Sequence, residues 1–115
     1  MTGIYLLLNL YVCDKGYLYV IINDSFPGWV KVGTTKNLKK RLQTYQTSSP
    51  HRDYQIVYYV EHPEYRQAEK EIKETMKHFA KNIHHEWYEV DINMAMSRLD
   101  EQIDKWACPD PPLTV

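Results

Sequence analysis

The fold of this chain is constrained most by residues 16–45, where two strand-like runs precede a basic helical pattern. The runs YLYVII and WVKVG are separated by NDSFPG, a cluster of residues that favour turns. So short a connection predicts an antiparallel hairpin. Both sides of the first run are apolar, and we therefore expect it to be a central strand of its sheet.

A short basic helix is predicted after the second run, from about residue 36 to residue 45. Thr34 or Thr35 is expected to cap its N-terminus. Its apolar stripe, spaced i, i+4, i+7, consists of Leu38, Leu42 and Tyr45. Arg41 lies at the edge of this stripe, which indicates a fixed partner for its guanidinium rather than a purely solvated position.

The rest of the chain also alternates between strand and helix patterns. Residues 54–60 and 87–90 are typical of strands, residues 64–79 and 93–106 of amphipathic helices, and residues 82–86 of a loop. The residues expected to face the core from these two helices are Tyr65, Ala68, Ile72, Met76, Phe79, Met96, Leu99, Ile103 and Trp106. The sequence therefore predicts an α+β fold, with a central and mostly antiparallel sheet of three or more strands flanked by about three helices.

The length of 115 residues suits one domain with one core. We expect residues 16–106 to form that domain, residues 1–15 to add a strand at the sheet edge, and residues 107–115 to be a flexible tail. Cys13 and Cys108 have neither metal-binding nor CxxC spacing, which predicts free thiols in a reducing compartment. No apolar run approaches the ~18 residues of a membrane span, and we expect a cytoplasmic protein.

The distribution of charge is more informative than the net charge of −1. Residues 31–52 contain six basic residues and no acidic one, whereas residues 61–104 contain eleven acidic and six basic residues. A basic patch of this kind attracts a polyanion such as DNA whatever the total charge. The nucleic-acid-binding candidates are Lys36, Lys39, Lys40 and Arg52. The alternative is a solvated helix face with no ligand.

Three side chains of the first 45 residues have chemistry suited to a phosphate: Tyr19, Lys31 and Arg41. Pairing of the first two strands brings Tyr19 near Lys31, and we expect all three groups to converge on one phosphate. Glu69 lies at the edge of the apolar stripe of the second helix, where a partly desolvated carboxylate needs a partner. That partner is either a metal ion or Lys73, four residues later.

Five short motifs occur in an order that is typical of one nuclease superfamily. They are GYLYVI with Tyr19, WVKVG, KKRL with Arg41, AEKEI with Glu69, and HEWYEV. Between residues 16 and 90 their order and spacing resemble those of the GIY-YIG nuclease superfamily, and most closely its compact phage-type branch. Tyr45, one helical turn after the arginine, stands where members of the superfamily carry His or Tyr.

The resemblance implies a metal-dependent endonuclease that hydrolyses DNA phosphodiester bonds. Glu69 would hold one divalent ion, Mg²⁺ or Mn²⁺, and Arg41 would bind the phosphate. Tyr19 would act as general base, assisted by Lys31, which either lowers the pKa of the phenol or orients the water. Tyr45 completes the implied catalytic group.

The chain departs from the pattern of that superfamily in three places. Lys31 stands where many members have Tyr, and the late Asn of many members has no counterpart here except Asn82. A literal Gly-Ile-Tyr at residues 3–5 is not followed at the matching distance by a second motif and an arginine. We interpret that tripeptide as coincidental.

Two other functions are compatible with the sequence. One is a non-cleaving nucleic-acid-binding or regulatory module of the same fold. The other is a protein-interaction domain that uses the acidic second half of the chain. For a DNA-binding protein of this size we expect relaxed sequence specificity, or specificity supplied by a homodimer or a partner protein.

Overall fold

Residues 15–105 are described by the structure, a computed structural model of the chain. In this part of the chain five strands and three helices follow one another. They are β1 (Gly16–Asn23), β2 (Trp29–Thr35), α1 (Leu38–Thr47), β3 (Tyr54–His62), α2 (Tyr65–Phe79), β4 (Ile83–His84), β5 (Trp87–Glu89) and α3 (Ile92–Lys105). The α+β class predicted from the sequence is confirmed.

The strands form one sheet in the order β3-β1-β2-β5-β4, and every neighbouring pair is antiparallel. β1 and β2 form the predicted hairpin, and β1 is an interior strand between β2 and β3. The register places Tyr19 opposite Gly33 and Ile21 opposite Lys31. Tyr19 and Lys31 are therefore diagonal neighbours on one face of the sheet.

The opposite face of the sheet is buried beneath α2 and α3. Its core consists of Leu18, Val20, Val30, Val32, Val60, Ala68, Ile72, Met76, Tyr88, Ala95 and Leu99. Successive residues of a strand point to opposite faces, so the residues between these core positions project the other way. The alternation in YLYVII and WVKVG thus directs Tyr19, Lys31 and Gly33 away from the core.

The helix α1 begins later than predicted, at Leu38, and its cap is Asn37 rather than Thr34 or Thr35. The Asn37 side-chain oxygen accepts a hydrogen bond of 2.9 Å from the backbone N–H of Lys40. Both threonines still belong to β2 and precede the cap position by two or more residues, so neither is the residue from which the helix begins. Thr35 instead bonds to the backbone of Asn37.

Three further details differ from the predictions. The segment predicted as a loop contains the two-residue strand β4, which pairs with β5. Phe79 and Ile103, which were expected to face the core, are 56% and 39% exposed. Both lie in the last turn of their helix, beyond the part that packs on the sheet.

Several expectations fall on residues that the structure does not describe. They include Trp106, both cysteines, the tail at 107–115 and all but the last residue of the N-terminal segment 1–15. None of the helices within residues 15–105 has the length and apolar content that crossing a membrane requires.

Candidate active site

The five residues predicted to be catalytic or metal-binding line one cleft of about 280 Å³. They are Tyr19, Lys31, Arg41, Tyr45 and Glu69. The cleft is completed by Val32, Gly33, Thr34, Lys73 and Glu86. It therefore lies where β1 and β2 meet the helices α1 and α2 and the turn before β5.

Tyr19 is the one buried residue among the five predicted site residues. Its side chain crosses β2 at Gly33, and the fit is so close that a Cβ on Gly33 would lie 2.5 Å from Cζ of Tyr19 and closer still to the hydroxyl oxygen. The Tyr19 hydroxyl lies 3.2 Å from that of Tyr45 on α1, within hydrogen-bonding distance. The two rings meet edge to face, with centroids 6.4 Å apart.

The Tyr19 phenol keeps its proton in the free protein. Burial raises its pKa well above the ordinary phenol value, and the hydrogen bond with Tyr45 raises it further. Arg41 acts in the opposite direction but does not outweigh burial. The cation that favours the phenolate is thus Arg41, and not Lys31 as the sequence predicts.

Lys31 is directed towards two other groups. Its Nζ lies 3.1 Å from a carboxylate oxygen of Glu86 and 5.4 Å from the centre of the Tyr45 ring. Burial lowers the pKa of Lys31, but Tyr45 and Glu86 more than compensate, and the net result is a raised pKa. Lys31 therefore remains charged inside the cleft.

An ion-pair chain connects β2 with α2 along the cleft. Glu86 pairs with Lys31 and, at 3.5 Å, with Lys73; Lys73 in turn pairs with Glu69 at 3.7 Å. The hydrogen bond from Lys31 and the charge of Lys73 lower the pKa of Glu86. Lys73, which the sequence offered as the alternative to a metal ion, is thus an observed partner of Glu69.

The charges that line the cleft nearly balance. Three cationic side chains, Lys31, Arg41 and Lys73, face two carboxylates, Glu69 and Glu86, which leaves one net positive charge while the phenols are neutral. The cleft is therefore weakly cationic before any ligand is bound.

The residues present fit a divalent ion only if the substrate supplies part of its coordination. Within residues 15–105 there is no cluster of three or more His, Cys, Asp or Glu side chains that could hold a metal. Glu69 is still 24% exposed, so an ion entering the cleft can reach its carboxylate. One or two carboxylates together with water and phosphate oxygens are typical of Mg²⁺ sites.

The predicted nucleic-acid-binding residues lie outside the cleft lining. Lys36 precedes α1, Lys39 and Lys40 are in its first turn, and Arg52 is in the loop before β3. All four are exposed. Arg41 is also exposed, but it differs from these four in lining the cleft.

Glu86 is a member of the site that the sequence patterns do not predict. It lies in the turn between β4 and β5, and the pairing of Trp87 with Lys31 brings it beside β2. Its position within the HEWYEV motif was the available signal. Asn82, the tentative counterpart of a family asparagine, donates a hydrogen bond to Glu89 and does not line the cleft.

Taken together, the fold and the cleft define a small α+β domain with an antiparallel sheet and one polar, charged cleft. Residues 16–107 match the T5orf172 domain, and the chain belongs to this family. The domain is associated with phages and occurs in some nuclease-like proteins. No curated protein and no solved structure matches the chain.

Substitution of Gly33 tests the close approach of Tyr19 to β2. Gly33→Ala is expected to lower the free energy of unfolding by about 1–3 kcal/mol, because the added methyl group overlaps the phenol ring. In a Tyr19→Leu background, which lacks the outer ring atoms, the same change should cost clearly less. Urea denaturation of the four proteins measures both values. Equal costs in the two backgrounds would contradict the contact.

The raised pKa of Tyr19 predicts a specific loss of stability in alkali. The unfolded phenol ionises above pH ~10 while the folded one keeps its proton, so stability is full below that pH and falls as the pH rises. The slope from this group is about 1.4 kcal/mol per pH unit. Urea denaturation between pH 8 and pH 11 should show a shallower decline in Tyr19→Phe. Identical declines in the two proteins would show that Tyr19 is not the group responsible.

Proposed function

We propose that the protein is a metal-dependent endonuclease of the GIY-YIG type that hydrolyses phosphodiester bonds in DNA. The observation that carries the proposal is the meeting of three groups from different elements, the Tyr19 phenol, the Arg41 guanidinium and the Glu69 carboxylate, in one cleft. Membership of a domain family that occurs in nuclease-like proteins supports the same function.

Arg41 and Lys31 bind the phosphate in this proposal. The guanidinium of Arg41 is planar and always charged, and its paired donors match two phosphate oxygens. Lys31 adds a second charge from β2, and its contacts with Glu86 and Tyr45 direct it into the cleft before the phosphate binds. Two cations at the phosphate stabilise the charge that develops on the phosphoryl oxygens.

Tyr19 and Tyr45 move the proton of the attacking water. A neutral Tyr19 hydroxyl accepts a proton only if it passes its own proton on, and the Tyr45 hydroxyl at 3.2 Å is placed to receive it. Tyr45 is half-buried and can return a proton to solvent. Lys31 lies over its ring and stabilises negative charge that develops there. A positioned relay of this kind contributes about 10²–10⁴-fold in rate.

Glu69 would hold the divalent ion, Mg²⁺ or Mn²⁺, together with water and a phosphate oxygen of the substrate. When bound, the ion supplies positive charge to the reacting phosphate and lowers the pKa of nearby hydroxyl groups. Glu69 must leave Lys73 to do this, and their separation of 3.7 Å is that of a loose ion pair. Lys73 retains Glu86 as a partner.

The exposed basic residues of α1 and the following loop extend the phosphate-binding surface beyond the cleft. Lys36, Lys39, Lys40 and Arg52 would contact flanking phosphates of the same DNA. Such contacts position the backbone without reading sequence, and their strength falls steeply with salt. The proposal therefore includes relaxed specificity, or a homodimer or partner protein that supplies it.

One observation favours the alternative of a non-cleaving DNA-binding module. In the free protein the Glu69 carboxylate, which would hold the metal ion, is already paired with Lys73. A module that only binds DNA would remain in that state. Cleavage assays separate the two functions.

Glu69→Gln is the variant that tests the nuclease. It keeps the shape of the side chain but removes the charge that would hold the ion, and Mg²⁺-dependent nicking of supercoiled plasmid should fall by about 10²-fold or more. DNA binding, measured by retention on a filter, should remain. Glu74→Gln is the matched control, because Glu74 lies on the same helix but pairs with Lys77 outside the cleft.

Two results would contradict the proposal. Nicking by Glu69→Gln at the wild-type rate would remove Glu69 from the reaction. Wild-type protein that binds DNA but never nicks it with Mg²⁺ or Mn²⁺ would favour the non-cleaving module instead.

A further inference from the structure

A second cavity, which we call the aromatic pocket, lies beside the cleft. It has a volume of about 290 Å³ and is lined by Phe26, Trp29, His84 and Trp87. Phe26 and Trp87 meet edge to face with ring centroids 4.9 Å apart. Four rings and no Asp, Glu, Lys or Arg side chain surround this space, in contrast to the charged cleft.

A row of ring contacts joins the aromatic pocket to the cleft. Tyr45, whose hydroxyl meets that of Tyr19, lies 5.1 Å from Tyr54, measured between ring centroids. Tyr54 lies 6.2 Å from Trp87. The two sites are therefore parts of one continuous surface, with phosphate-binding groups at one end and aromatic rings at the other.

The strands set the distance between the two sites. Trp29 and Lys31 lie two residues apart on β2 and share a face, which separates their positions by about 7 Å. Trp87 pairs with Lys31 and directly follows Glu86, a wall of the cleft. A single nucleotide spans such a distance between its phosphate and its base.

The loop that carries Phe26 is held in place by hydrogen bonds. Asp53 accepts hydrogen bonds from the side chains of Ser25, Asn23 and Ser49. These bonds lower the pKa of Asp53 to about 2, and the bond from Ser25 has the largest effect. The backbone N–H of Phe26 also donates to the carbonyl of Asn23. Phe26 is thus presented on a braced turn, which reduces the entropy lost when a ring stacks on it.

We propose that the aromatic pocket binds an unpaired nucleobase of the DNA strand whose phosphate lies in the cleft. Aromatic rings bind bases by stacking without regard to sequence, and a base inside a duplex cannot enter such a pocket. The substrate is therefore single-stranded DNA or a locally opened duplex. This inference rests on the proposed function and adds the substrate class to it.

The test compares two short single-stranded oligonucleotides of equal length and charge, one with bases and one composed of abasic tetrahydrofuran units. Fluorescence anisotropy in Ca²⁺ measures their binding. The wild-type protein should bind the base-containing strand about tenfold or more tightly than the abasic one, because stacking is worth this much for one base. Phe26→Leu, which keeps an apolar side chain, should lose most of that preference and leave abasic binding unchanged.

Phe79→Leu is the matched control, since Phe79 is an exposed ring on α2 that lines neither site. It should bind both strands as the wild-type protein does. Equal wild-type affinity for the two strands, or equal weakening of both by Phe26→Leu, would overturn the base pocket. If one of these two results were obtained while Glu69→Gln still abolished nicking, the base pocket would be overturned and the nuclease proposal would stand. Wild-type protein that binds neither strand but nicks plasmid would likewise overturn this inference alone, whereas wild-type protein that binds neither strand and nicks no plasmid would overturn the proposed function as well.

Discussion

The close contact between the Tyr19 phenol and the backbone of β2 organises the site. β1 and β2 pair so that Tyr19 lies opposite Gly33, and the missing Cβ lets the ring cross the neighbouring strand. The hydroxyl thereby reaches Tyr45, which ties the sheet to α1. Because Arg41 is one helical turn before Tyr45, the same contact places the Arg41 backbone at the edge of the cleft that its side chain lines. A side chain at residue 33 would displace the phenol and, through it, the approach of α1.

Electrostatic balance is the second constraint on the cleft. Lys31, Glu86, Lys73 and Glu69 form a chain of ion pairs in which each carboxylate offsets a neighbouring lysine. Partly buried charges of this kind are costly unless they are paired. The chain lets the protein keep two lysines and two glutamates beside a buried phenol before any ligand arrives. Under the proposed function, a phosphate would take the place of Glu86 on Lys31 and a cation the place of Lys73 on Glu69. Ligands would then replace existing ion pairs rather than create unpaired charges.

The sequence was sufficient to predict the hairpin, the antiparallel sheet and the grouping of Tyr19, Lys31, Arg41, Tyr45 and Glu69. Period-two alternation decides which face of a strand each side chain takes, which groups Tyr19 with Lys31. The order of the motifs indicated that the helix residues Arg41, Tyr45 and Glu69 belong to the same site. The partner of Lys31 was not predictable, because it depends on β5 pairing with β2 from the other end of the chain. The sequence did not identify Asn37 as the helix cap, because β2 continues through Thr35 and no single residue marks where that strand ends. The aromatic pocket was not predictable either, because Phe26 and Trp87 are far apart in the sequence and meet only through tertiary packing.

The central claim is that one phosphate and one divalent ion share the cleft between Arg41 and Glu69. A crystal structure with Ca²⁺ and thymidine 3′,5′-bisphosphate tests it most directly, because Ca²⁺ accepts the same oxygen ligands. The account predicts a phosphate in contact with the Arg41 guanidinium and an ion on the Glu69 carboxylate, released from Lys73. A phosphate bound only along Lys39 and Lys40, with Glu69 still paired to Lys73 and no ion beside it, would contradict the account.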